Sequence, residues 1–374
     1  MDCCAPPATG VSVATGAGMA ALDCLQSEWA ALAAQQHGAL GWFMHPDWVR
    51  AHVLALEDPS RLRVLTVRVG GELAAVLPLI CATTWFRGLP VRCWRAAAGG
   101  HSLRFDLLLT ADHSGRAAAA HLARYLATCG GWDVIELRDV PRQGAAAALL
   151  DHMAARGCRV GRWEAMQSPC CDLRSPQAPA LRPAFRTELR RTHRRLQATA
   201  PSARLRLLQA SIAPDDLMAS LTRFYALEAA GWKGRQHSAI ACQPRVRRFY
   251  DLAATALAAR GALVLHQLDW CGRALAMSYG LMCESRFDVI KWAYDETFSH
   301  FGPGHLLIEA MIRECPGLRE FHFNGPDAPY KRKWTQVREP LDFLYFFAPT
   351  ALGTLCHSLK FRWTPRLQHW LGKT

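Results

Sequence analysis

Three stretches of the chain combine residue types that could do chemistry. The first is "FHFNGPDAPYKRKW", residues 321 to 334, where a strand-like run stops at Asn324-Gly325-Pro326-Asp327. Lys331, Arg332 and Lys333 then follow between two aromatics, Tyr330 and Trp334. Such a cluster reads either as the solvated turn of a basic protein or as the seat of something anionic. The second is "WAYDETFSHFGPGHLLIEAMIREC", 292 to 315, where a strand ends near Asp295 and a helix begins directly after Gly302-Pro303-Gly304. Glycines at a helix start let backbone N–H groups approach a ligand closely. The first turn adds four unpaired donors and a partial positive charge, which suits a phosphate or pyrophosphate. Taken alone, the tripeptide is explained more simply as a turn. The Walker ending and the G-x-G-x-x-G spacing are both absent, so neither an NTPase nor a Rossmann reading is supported.

The third stretch is "FYALEAAGWKGRQHSAI", 224 to 240. Leu217, Leu221, Phe224 and Glu228 share one helical stripe, and a carboxylate closing an apolar stripe is either exposed at the helix end or tucked against a cleft. The exposed reading is the simpler one. Gly231 ends the helix, and Trp232, Lys233, Gly234 and Arg235 form a basic aromatic loop, with His237 and Ser238 as hydrogen-bonders. In "FHFN" the side chains alternate, so His322 and Asn324 share one side, which is either cleft or solvent.

These residues need elements to hold them. The chain has 374 residues, 51 % hydrophobic and 20 % charged, which fits a soluble globular protein of two domains. A net charge of +13 favours anionic partners: a nucleotide cofactor, nucleic acid or an acidic membrane surface. The first 18 residues read as disordered and as a poor signal peptide, and no apolar run is long enough for a spanning helix. The 14 cysteines show no zinc spacing, so they read as mostly small buried hydrophobes in a reducing cytoplasm, with no metal expected. In the first half, two helices precede a hairpin on Gly70-Gly71, then strand, helix, strand, helix and a strand pair, "CRVGRWEAM" and "CCDLR". After the Pro-rich joint 175–183 a similar order recurs, with a hairpin near Cys271-Gly272, the strand "FDVIKWAYD", a helix and "REFHFN". Two copies of one α/β unit are implied. The segment 182–207 carries eight arginines against one acid, Glu188, on an amphipathic helix buried through Phe185, Leu189 and Leu196. Its outer face is either solvated or a contact for phosphates, an anionic acceptor or lipid head groups. It lacks base-stacking aromatics and any recognised nucleic-acid motif.

The tandem layout, "EAAGWKGRQHS", "YDETFSHFGPGHLL" and "FHFNGPDAPYKRKW" together resemble the acyltransferases of the CelD/BcsL type, within the GNAT superfamily, found with exopolysaccharide or cellulose biosynthesis. The resemblance covers roughly 25 to 345 and is most specific in the second half. It implies an α/β fold of tandem GNAT-like domains, each a mixed, mostly antiparallel sheet flanked by helices. The domains would run 19–175 and 176–348, with a disordered 1–18 and a basic tail, 349–374, whose core packing gives way to an exposed end. It further implies that 300–306 replaces the superfamily's pyrophosphate loop, keeping both glycines but not the leading Arg or Gln. The donor would be acetyl-CoA or a longer acyl-CoA, bound by Tyr294, Phe301, Gly302, Gly304, His305, Leu306 and Lys331. Lys331 would serve there to hold a phosphate or else an anionic acceptor. Glu228 is the first candidate for the base, then His322 or Asp295, and Tyr330 would protonate the leaving sulfur. Trp232, Lys233, His237, Ser238, Asn324 and Asp327 would meet the acceptor, an amine or hydroxyl on a small molecule or glycan. A cytoplasmic location follows, peripheral to the inner membrane or a polysaccharide synthase in one reading. The related Fem-type transferases use aminoacyl-tRNA and often carry a long helical hairpin, which is not visible here.

Overall fold

The computed structural model describes residues 10–174, 182–210, 212–315 and 317–363. It divides into two compact units, one up to Met166 together with the chain from Pro340 onward, the other Gln167–Glu339.

The first unit opens with β1 (Val11–Ala17), which pairs antiparallel with β2 (Leu62–Val69). Between them lie α1 (Gly18–Ala34), the short α2 (Leu40–Phe43) and α3 (Pro46–Leu56). Leu22, Trp29 and Leu32 of α1 are buried on one face at helical spacing. The β2–β3 hairpin turns on Gly70 and Gly71, both with positive φ, which only glycine adopts without strain. β3 (Glu72–Phe86) continues to β4 (Leu89–Ala96), and the two-residue β5 (Leu108–Leu109) pairs on β3. Then come α4 (His113–Thr128), β6 (Val134–Pro141), α5 (Ala145–Ala154) and β7 (Arg159–Asp172). β6 pairs parallel to β4.

The second unit repeats the plan. Helix α6 (Pro183–Thr199) leads to β8 (Arg206–Gln209), α7 (Pro214–Ala230), the single-turn α8 (Trp232–Arg235) and α9 (Pro244–Ala258). Strands β9 (Leu263–Trp270), β10 (Arg273–Cys283) and β11 (Arg286–Tyr294) form an antiparallel meander on β8. Helix α10 (Pro303–Glu314), β12 (Glu320–His322) and the single-turn α11 (Pro329–Arg332) follow. β12 lies parallel to β11 and antiparallel to the end of β7. α10 covers one sheet face through Leu306, Leu307 and Met311, against Phe287, Val289 and Phe321. α7 and α9 carry the aromatics of the other face, with Phe224 and Tyr250 against Tyr279. The chain then returns to the first unit as β13 (Arg338–Phe347) and α12 (Ala351–Ser358).

Among the described residues, both sheets are therefore mixed and mostly antiparallel, β4–β6 and β11–β12 running parallel, with helices on their faces. Several expectations change. Residues 11–17 are a strand, because Val11 and Val13 alternate onto the core and their backbone pairs with Arg63–Val69; residues 1–9 lie outside the described set. The expected strand pair at 158–174 is one strand. Pro169 lacks an N–H, but its carbonyl still accepts from Phe323 N–H (3.1 Å). The first unit ends at 166 rather than 175 and regains β13, which pairs with β6. The described part of the tail is anchored too: Lys360 is buried, with its ammonium 4.1 Å from the Tyr345 ring, and Phe361 packs on Tyr345 and Phe347. The joint 175–181 and residues 364–374 are outside the described set. Cysteines 93, 158, 171 and 356 are buried, whereas Cys24, Cys242 and Cys271 are exposed.

Asp342 of β13 is fully buried and accepts from Arg142 Nη2 (2.8 Å) and Nε (3.1 Å), with Arg162 at 3.4 Å. Asp342→Ala leaves two neighbouring guanidiniums without their shared anion. It should cost about 2–3 kcal/mol, read as a lower urea midpoint for the first unit. A midpoint unchanged from wild type would detach β13 from that unit.

Candidate active site

The site begins where two strands part. β11 pairs with β12 only over Arg286–Asp288 and Glu320–His322. Just beyond, Ile290 has no register partner on β10: Val289 faces Gly280, and Lys291 faces Tyr279. This bulge bends β11 away. The gap is held by side chains. Asn324, at a φ of 48°, donates from Nδ2 to Asp288 Oδ1 and to the Val289 carbonyl, both at 3.1 Å. Asp288 is fixed in turn by Arg286 through two bonds of 2.6 and 2.9 Å. The buried Lys331 ammonium donates to the carbonyls of Asn324 and Pro326. Burial pushes its pKa down to about 8.

A cavity of about 470 Å³ lies beside the end of β11, walled by Trp292, Ala293 and Tyr294. Gly302, Pro303 and Gly304 at the start of α10 form another wall, and Trp232, Lys233 and Tyr330 close the rest. Gly302 is left-handed (φ 55°), a conformation an L side chain rarely adopts, and α10 has no side-chain cap there. A Cβ on Gly304 would meet no atom within 4 Å, so the backbone borders open space. Pro303 has no N–H, and those of His305 and Leu306 bond the Gly302 carbonyl, so this helix start offers an anion the Gly304 N–H and the positive end of the helix dipole.

His305 lines the same cavity. Its Nδ1 accepts from the Trp334 indole N–H at 2.9 Å. An indole only donates, so the imidazole proton sits on Nε2. Burial, with the nearby Lys333 charge, drives its pKa to about 4, so the ring is neutral and a donor at Nε2. Tyr330 stands 5.8 Å from the Trp292 ring, centroid to centroid, and burial raises its phenol to about 12. It therefore keeps its proton at neutral pH.

Glu228 is 3 % exposed, and both oxygens are engaged: Lys233 Nζ at 2.6 Å and the Ile240 N–H at 2.8 Å. Lys233 also reaches the Trp292 carbonyl at 3.3 Å. The carboxylate thus fixes the 231–240 loop and places an ammonium at the cavity wall. Lys291, on the adjoining strand, is pushed below the ordinary lysine value by burial and by Lys233. Glu296 completes the loop's anchorage, accepting from Trp232 N–H (2.6 Å) and Arg235 (2.8 Å).

The structure thus gathers Tyr294, Gly302, Gly304, His305, Trp232, Lys233 and Tyr330 around one cavity, with Glu228 lining an adjoining recess. The other expected site residues lie elsewhere. His322 is buried beside Glu320 (3.5 Å) and Glu339 (3.8 Å). Asp295, despite the upward pull of burial, is held low by Thr297 and Arg273, which occupy its oxygens. Asp327 pairs with Arg332 and Arg338. The His237 side chain is exposed at a positive-φ turn, and Ser238 Oγ bonds the Lys233 carbonyl. Leu306 and Phe301 are buried in the core, Phe301 under the Arg195 guanidinium at 5.5 Å. Lys331 and Asn324 shape the strand gap and do not face the cavity. Trp292, Ser299, Leu307 and Ile308 were not expected there.

Residues 183–332 match the acetyltransferase (GNAT) domain family. The second unit is therefore an acyltransferase domain of the GNAT type, a class that generally uses acyl-CoA. The fold is shared over nearly the whole chain by three solved structures. One is the C-terminal domain of a protein described as a lysylphosphatidylglycerol synthetase from Agrobacterium fabrum (12 % identity, 90 % of this chain, 95 % of that one, TM-score 0.53). Another is a conserved protein of unknown function from Bacteroides thetaiotaomicron (13 %, 87 % and 97 %, 0.55). A third is the L-PGS of Bacillus licheniformis (11 %, 91 % and 96 %, 0.50). No curated protein is similar enough in sequence to match. Among the described residues, no helix is long and apolar enough to cross a membrane.

A histidine whose folded pKa is near 4 stays neutral while the unfolded chain protonates near 6.5, so stability is full above pH 6.5 and falls as pH drops toward 4. His266 contributes the same sign. His305→Gln should remove up to about 2 kcal/mol of the stability lost between pH 7 and 5, measured from urea midpoints at both pH values. An unchanged pH slope would mean that His305 is not held neutral.

Proposed function

We propose that the second unit transfers an acyl group from acyl-CoA to an amine, on a sugar, a polysaccharide precursor or another amino compound. The observation that carries this reading is the parted β11–β12 edge next to the uncapped, glycine-lined start of α10. A donor with a diphosphate at one end and amides along a flexible arm fits both features. The diphosphate meets the Gly304 N–H and the positive end of the α10 dipole, while the arm's amides pair with the edge of β11 that β12 leaves beyond Asp288. The lining by Trp292, Leu307 and Ile308 suits the arm's methylenes.

At the far end of the arm, the acceptor nitrogen attacks the thioester carbonyl, the C–S bond breaks and the Tyr330 hydroxyl gives its proton to the departing sulfur. The proton that the attacking nitrogen sheds as the amide forms passes to water, and water returns a proton to the Tyr330 phenolate. The Lys233 ammonium and the His305 Nε2–H supply positive potential for the oxyanion. Glu228 acts through Lys233, as a positioning residue rather than the base. The likeness of "EAAGWKGRQHS" and "FHFNGPDAPYKRKW" to the CelD/BcsL type supports an acceptor from exopolysaccharide or cell-envelope synthesis. The Fem-type alternative, with aminoacyl-tRNA as donor, would use the same Tyr330 and the cationic α6. The apolar lining of the cavity favours the pantetheine arm.

Thermal-shift titration tests the donor. CoA and acetyl-CoA should raise the melting temperature of the wild type and not of Gly304→Trp, whose side chain fills the cavity. A response only to aminoacyl-tRNA would replace the reading by the Fem-type one. Tyr330→Phe should keep CoA binding and lower kcat by about 10- to 100-fold, measured as free thiol released. An unaltered kcat would remove Tyr330 from the reaction.

A further inference from the structure

A second cavity, of about 380 Å³, lies between α6 and α10. Its floor is apolar: Leu173, Leu189, Ile312 and the buried Trp334. Its rim is cationic, with Arg186 and Arg190 from α6 and Arg313 from α10. Arg186 and Arg190 are exposed and have no carboxylate partner among the described residues, whereas Arg313 shares Glu314. The single acid on the rim, Glu309, is held by His193. Trp334 also donates to His305, which lines the first cavity.

An apolar floor under guanidiniums selects an amphiphile with an anionic head. Guanidinium forks match phosphate oxygens, and leucine, isoleucine and indole carbon match methylenes. A bare ion would leave the floor wet, and a nucleic acid would find no exposed ring to stack on, since Trp334 is 3 % exposed. Helix α6 cannot sink into a bilayer as an amphipathic anchor, because its apolar residues Phe185, Leu189 and Leu196 face the core. What it offers a membrane is a row of arginines and this crevice beside them. A chain of net charge +13 adds general attraction to an anionic leaflet.

We propose that the α6–α10 crevice seats the phosphate headgroup and first methylenes of an anionic membrane lipid, holding the second unit against a membrane surface. The proposal does not depend on the donor assignment. Co-sedimentation of the full chain with vesicles tests it, using phosphatidylcholine alone and phosphatidylcholine with phosphatidic acid. Retention should require phosphatidic acid. Arg186→Glu/Arg190→Glu should weaken it about tenfold or more, and Arg191→Glu/Arg194→Glu, with the same charge change on the same helix but off the crevice, should weaken it clearly less. Phosphatidic acid brominated near the carbonyl end of its chains should quench tryptophan fluorescence in the wild type, and less in Trp334→Phe. Equal loss in the two double variants, or no Trp334-dependent quenching, would reduce the attraction to non-specific charge and overturn the proposal. It is equally overturned if inorganic phosphate or tRNA binds through Arg186 and Arg190 while vesicles do not.

Discussion

Two parallel strands that pair for three residues and then separate leave backbone groups that need another partner, and the second unit is organised around that separation. The bulge at Ile290 turns β11 outward, and Asn324 keeps the gap from closing by bonding Asp288 and the Val289 carbonyl. Asn324 is itself held in a left-handed conformation by the Lys331 ammonium on its carbonyl. A lysine buried on two carbonyls is costly unless the bonds are kept, so this small network is under pressure to stay assembled. The cavity, the free strand edge and the position of Tyr330, one residue before Lys331, all depend on it.

The first unit shows what the same plan looks like without the site. Its parallel pair, β4 with β6, also spans three residues. The helix between those strands, α4, starts differently: Asp112 caps it and accepts from Gly115 N–H, placing a carboxylate where a phosphate would need a donor. A Cβ on Gly115 would lie 2.1 Å from the Thr110 carbonyl oxygen, so that glycine serves close backbone packing. Gly302 and Gly304 have no capping side chain and border a cavity instead. The repeat thus supplies two scaffolds and one helix start left without a side-chain cap beside a cavity.

Much of this was legible in residue types and order. The Gly-Pro-Gly helix start, the Trp232-Lys233 loop and Tyr330 were readable because each is a local signal, and local sequence sets a helix start or a turn. Partner choice was not readable. The pairing of Lys331 with carbonyls rather than an anion, of Glu228 with Lys233 and Ile240, and of His305 with Trp334 depends on contacts across 5 to 29 positions. The return of β13 to the first sheet joins residues about 200 apart, which no periodicity reports. β1 was missed because a small-residue, glycine-containing run resembles a linker until its alternation is set against β2.

A phosphate-bearing acyl donor seated at the start of α10 and the parted edge of β11 would shield the backbone N–H groups there. Hydrogen–deuterium exchange with and without acetyl-CoA reads this at the backbone. Exchange should slow in peptides covering 289–294 and 300–306, with no slowing in 110–116 of the first unit. Unchanged exchange across 300–306 at a saturating concentration of acetyl-CoA, or protection only in the first unit, would contradict that seating.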